Sequence, residues 1–223
     1  MTDNPQVLSR PRESTLATNS VIRNTYLLLS LTLLFSTLTA GVAMVTNAPM
    51  LNVWLVLGGY FGLLFVTTKL RNSAWGLLSV FGLTGFMGYT LGPLLNAYIG
   101  HYANGAQLVA YALGGTGVIF IGLSVYALTT RKDFSYMGGF LMAGILIAFL
   151  AGIANIFFAM PGLALAVSTM FMLLMCGLIL YETSNLVHGG ETNYILATVG
   201  LYVIIYNLFT SLLHLLGVFG GDD

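Results

Sequence analysis

The chain has 223 residues, 57% of them apolar and 6% charged, with seven Lys/Arg balanced by seven Asp/Glu. Soluble domains carry roughly 25% charged residues, so a water-soluble enzyme is excluded, and zero net charge without a basic stripe excludes a nucleic-acid binder. The single cysteine, Cys176, rules out an internal disulfide or a thiolate metal framework. What remains is an all-α polytopic membrane protein.

The charged residues are clustered, and the gaps between the clusters draw the spans. No Asp, Glu, Lys or Arg falls between Arg23 and Lys69, Arg71 and Arg131, Asp133 and Glu182, or Glu191 and Asp222. A helix needs about 20 apolar residues to cross the hydrocarbon core. The first three gaps each hold two crossings and the last holds one. The spacing predicts seven transmembrane helices over 25–46, 51–68, 74–99, 106–129, 137–159, 163–187 and 194–217. Breaks are expected at Thr46–Pro49 and around Met160-Pro161-Gly162.

Residues 1–22 read as a disordered cytoplasmic tail, rich in Ser, Thr, Asn and Arg and without apolar periodicity. They do not form a signal peptide, because basic residues run straight into a full-length span with no small-residue cleavage site. The transmembrane domain is expected over 23–219, and 220–223 form a short external C-terminus. With the N-terminus inside, all seven Lys/Arg are cytoplasmic, as the positive-inside rule requires.

Within the spans, Gly82, Gly85, Gly88 and Gly92 drift around one face of the third, and Gly144, Ala148 and Gly152 are spaced four apart on the fifth. Gly58 and Gly62 do the same on the second. Small residues at these intervals let helix backbones approach closely in lipid. Packing within one bundle is the plain reading and a homo-oligomer the alternative. Gly92-Pro93 is expected to kink or loosen the third span.

Glu182 is the charge that falls inside a span, and an ionised carboxylate there costs a few kcal/mol unless it meets water, a partner or the bundle interior. Asn185 and Gly189 share its helix face. The seventh span carries Thr198, Tyr202, Tyr206, Thr210 and His214 at four-residue spacing, flanked by Asn207 and Ser211. Glu182, Asn185, Tyr202, Tyr206 and Asn207 are therefore the candidate proton or cation site, with Tyr202, Tyr206 and Asn207 as partners for the carboxylate. Asn96 and Asn155 could join it. Polar bonding between helices, worth about 0.6 kcal/mol each, is the competing explanation for the stripe.

Enzyme chemistry finds no foothold. His101, His188 and His214 are placed too far apart to share a metal, no His lies deep enough to activate a buried serine, and Lys69 and Lys132 both sit in turns. No catalytic residue, metal or cofactor is expected.

Several strings resemble those of the Bax inhibitor-1 (transmembrane BAX inhibitor motif) family. They are Thr84-Gly85-Phe86 through Leu91-Gly92-Pro93, Thr129 through Ser135, Tyr181-Glu182-Thr183, Leu201-Tyr202 and Asn207-Leu208-Phe209. Arg23-Asn24-Thr25-Tyr26 and the run His188 through Tyr194 match the bacterial branch that modulates the membrane-anchored AAA protease FtsH. The resemblance implies a seven-helix bundle with the last helix central, a location in the bacterial inner membrane, and FtsH as partner. Calcium-leak members of the family have an Asp at the position of Glu182 and pair it with a second Asp in the seventh span. The matching residue here is Ile204, which cannot share a proton with a carboxylate. The resemblance therefore implies protease inhibition first, with a pH-sensitive calcium or cation leak through Glu182 as the alternative.

Overall fold

The computed structural model describes residues 10–221, with side chains from Thr18 onward. Seven helices follow one another: α1 (Arg10–Val45), α2 (Val53–Leu70), α3 (Ala74–His101), α4 (Gly105–Thr130), α5 (Gly138–Phe158), α6 (Pro161–Val187) and α7 (Tyr194–Gly220). All seven are long and apolar enough to cross a membrane.

The helix ends follow from local chemistry. After α1 the chain turns at Asn47, held at φ 49°, with Pro49 just beyond; Asn tolerates the left-handed region better than most residues. Asn52 caps α2 by accepting from the Trp54 N–H at 2.9 Å. α5 stops at Ala159 (φ 47°), and Pro161 opens α6 as its first residue, where its missing N–H costs nothing. α6 closes with Gly189 at φ 73°. There the Gly190 N–H reaches the Asn185 carbonyl at 2.9 Å and the Gly189 N–H reaches that of Leu186 at 3.3 Å. This crossed pair satisfies carbonyls that the end of a helix leaves open.

α1 starts earlier than expected. At 36 residues and 1.5 Å each it is about 54 Å long, well beyond the ~30 Å hydrocarbon core. Residues 10–22, read from composition as disordered tail, are helical. Val21 and Ile22 pack against the core, and that burial extends the helix past the apolar span. Residues 1–9 of the expected tail, and Asp222-Asp223 at the external C-terminus, lie outside the described residues.

α7 is the centre of the bundle. It touches α1, α3, α4 and α6, and Leu201, Leu208 and Leu213 on it are fully enclosed. α2 and α5 are peripheral; the buried residues are Thr67 on α2 and Leu141 and Ala148 on α5.

The tightest seam joins α1 and α3. A Cβ on Gly88 would collide with the Ser36 carbonyl and the Thr39 hydroxyl, and one on Gly92 with Ala43. A Cβ on Gly85 would run into the Phe35 ring. On α5, a Cβ on Gly144 would run into the Leu174 side chain of α6. A Cβ on Gly58, Gly62 or Gly82 would meet nothing within 4 Å, so not every small residue marks a contact. Pro93 is buried and α3 runs unbroken past it, because the neighbouring α1 holds the helix in place.

Candidate functional site

The polar stripe on α7 is real, but its Thr198, Tyr202 and Tyr206 face α1 and α3. Tyr202 is 1% exposed. Its hydroxyl donates to the Thr84 carbonyl at 3.1 Å and lies 2.7 Å from Ser36 Oγ. A tyrosine has one proton to give, so Ser36 is the donor in the second bond. The Tyr206 hydroxyl pairs with Thr90 Oγ1 at 3.2 Å. Asn207 folds back onto its own helix, donating to the Val203 carbonyl at 2.8 Å. Thr198 Oγ1 donates to the Tyr194 and Thr25 carbonyls. His214 Nδ1 meets Ser168 Oγ of α6 at 2.7 Å.

Glu182 stands apart from these groups. Its carboxylate lies against Gly200 of α7, where a Cβ would be 3.8 Å from the carboxyl carbon. Ile204, one turn further along α7, is buried. Among the described residues, no hydrogen-bond donor is recorded on the Glu182 carboxylate. Asn185 sits under the Gly189-Gly190 turn, its Oδ1 against Gly190. The expected five-residue site therefore divides into three places: Tyr202 and Tyr206 with α1 and α3, Asn207 on its own helix, and Glu182 and Asn185 towards the end of α6. Asn96 and Asn155 do not join it either. Asn96 donates to the Met44 carbonyl at 3.0 Å, and Asn155 accepts from the Met160 N–H at 3.1 Å.

The face that carries Lys69, Arg71, Arg131 and Lys132 is held by two side chains not singled out from the sequence. Ser184, 2% exposed, accepts from the Phe134 N–H at 3.0 Å and donates to the Lys132 carbonyl at 3.1 Å. It thereby pins the α4–α5 loop to α6. Asn193 caps α7 through the Ile195 and Leu196 N–H groups and donates to Arg71 and Asn72 in the α2–α3 turn. Both residues lie within or beside strings quoted for the family resemblance, which was the available signal. Asp133, in the same loop, accepts from the Ser135 N–H at 2.8 Å. That bond holds its carboxyl below the ordinary carboxylate range. Among the described residues, no three His, Cys, Asp or Glu come together as a metal site.

These features define a seven-helix membrane bundle with a largely buried, hydrogen-bonded central helix and a carboxylate at membrane depth. The sequence profile described as "Inhibitor of apoptosis-promoting Bax1" matches residues 18–221. The chain belongs to that family, the Bax inhibitor-1 family. It is 51% identical to the Escherichia coli K12 protein named modulator of FtsH protease YccA, over 96% of this chain and 97% of that one. A Pseudomonas aeruginosa protein is 54% identical over 92% of each chain. An uncharacterized membrane protein of Vibrio cholerae is 45% identical over 95% of each. Together with the seven apolar helices, these relatives place the chain in the bacterial inner membrane as a multi-pass protein.

Proposed function

We propose that this protein is a non-enzymatic modulator of FtsH that binds the membrane-anchored AAA protease and restrains its degradation of membrane substrates. The observation that carries the reading is the 51% identity, over nearly the whole of both chains, to a protein named for that role. The fold is compatible with it. A bundle whose central helix packs against four others, and whose first and third helices meet backbone to backbone at Gly88, offers a pulling motor few places to begin unfolding. The N-terminus and the Lys/Arg-bearing loops are cytoplasmic in this reading. A cysteine at Ala103 should then be labelled from outside and one at Asn72 should not.

A pH-sensitive cation leak is the competing function. Against it stands the environment of Glu182, whose carboxylate lies against Gly200, with Ile204 in place of an acid one turn further along α7. α7 contains no Asp or Glu. The test is co-purification from native membranes. A tagged chain should bring FtsH with it; consistent recovery without FtsH would refute the binding half of the proposal.

A further inference from the structure

α1 and α4 both lean on α7 but barely touch one another. Between them lies a cavity of about 690 Å³. Its floor is buried, formed by Tyr202, Phe209, Thr116 and Ser36, whereas its rim residues Ile121 and Val125 are 61% and 50% exposed. In a membrane-spanning bundle, such an opening faces the acyl chains. The cavity ends on Leu128, and Leu128 also lines a second cleft, of about 890 Å³, on the Lys/Arg-bearing face. Arg131, His188 and Glu191 line that cleft. An apolar slot thus runs into a polar mouth at the depth where a bilayer itself changes from chains to headgroups.

The charges at the mouth are not equally available. Glu191 Oε1 accepts from the Asn193 N–H at 2.7 Å, and His188 Nδ1 is engaged with the Ser184 carbonyl at 2.8 Å. Among the described residues no ion pair involves Arg131, whose guanidinium suits a phosphate. Below it on α4, seven residues or about 10 Å along the helix, Ser124 is 3% exposed and its hydroxyl has no partner. A buried hydroxyl without a partner costs stability unless something enters to meet it. Tail, ester and phosphate of one lipid would meet the slot, Ser124 and Arg131 in that order. Basic pockets between transmembrane helices at a cytoplasmic face hold anionic headgroups by the same physics.

We infer that the groove between α1 and α4 is a binding site for one phospholipid, with an acyl chain against Tyr202 and Phe209 and its phosphate at Arg131. The site is distinct from Glu182, which lines neither cavity.

Gly117 gives the test. It lines the groove, and a Cβ built on it meets no heavy atom within 4 Å, so a side chain can start there without meeting the walls and grow into the slot. Gly122, also free of neighbours on α4 but not lining the groove, is the control. Full-length protein in mild detergent is titrated with phosphatidylglycerol and read by native mass spectrometry, after thermal melting has established that each variant is folded. Wild type and Gly122→Phe should retain one lipid, and Gly117→Phe should lose affinity about tenfold. Arg131→Asn, which tolerates the left-handed backbone at that position (φ 51°), should weaken phosphatidylglycerol but not uncharged diacylglycerol. Equal retention by wild type and Gly117→Phe, or by Gly117→Leu if the larger side chain prevents folding, would overturn the site. Equal loss of both lipids in Arg131→Asn would overturn the assignment of the phosphate.

Discussion

Ser36 of α1 donates to the hydroxyl of Tyr202 on α7 across 2.7 Å, and that hydroxyl donates in turn to the Thr84 carbonyl of α3. Three helices far apart in sequence are joined by one buried oxygen. Tyr202→Phe removes both bonds and strands Ser36. At about 0.6 kcal/mol per bond in a membrane bundle, it should destabilise the protein by about 1 kcal/mol. Thermal melting in detergent, with Ser36→Ala and the double variant completing the cycle, should show strong non-additivity. Additive losses would mean that the two hydroxyls are not coupled.

Gly88 and Gly62 look alike in the sequence and differ in the fold. Gly88 is pressed against the α1 backbone, whereas a Cβ at Gly62 meets nothing within 4 Å. Gly88→Leu should cost about 1–3 kcal/mol by overpacking, and Gly62→Leu should stay within about 0.5 kcal/mol of wild type. Parallel melting curves report the difference. Similar losses at both positions would place an unexpected partner on α2.

Asp133 supplies a pH dependence. The Ser135 N–H lowers its carboxyl pKa from the ordinary 3.8. A depressed folded-state value gives stability that is present above the unfolded pKa and lost as pH falls through the folded one. The loss therefore lies on the acid side of 3.8. The group is fully exposed, so the effect is small. Asp133→Asn keeps an oxygen for the Ser135 N–H and should flatten that acid limb of the melting curve while leaving neutral pH unchanged. An acid limb identical in the variant would show that Asp133 does not contribute to it.

How much of this could be read in advance depends on what each feature requires. The spans were legible because uncharged stretches of the right length have one stable arrangement in lipid, and breaks near Pro49 and Pro161 fall where helices must stop. The start of α1 was not, because residues 10–22 owe their helix to Val21 and Ile22 packing on the core rather than to a long apolar stretch. The four-residue polar spacing on α7 was visible, and its direction was not. Periodicity says that Tyr202 and Tyr206 share a face, but α1 and α3 received that face, while the adjacent hairpin partner α6 presents Glu182 to Gly200.

Glu182→Gln preserves the side chain's shape and removes its ionisation. The carboxylate lies against a glycine of α7, a helix without Asp or Glu, so the substitution should leave protease inhibition within about twofold of wild type, under 0.5 kcal/mol. Calcium flux into vesicles reconstituted with wild-type protein should be small and nearly independent of pH. A large, pH-dependent flux abolished by Glu182→Gln would make conduction the primary function.

The most direct test of the account is the rate at which FtsH degrades a membrane substrate in proteoliposomes, measured with and without this protein inserted beside it. Degradation should slow as the ratio of this protein to protease rises, and this protein should be recovered bound to FtsH. An unchanged rate with folded, correctly inserted protein at saturating ratios would contradict it.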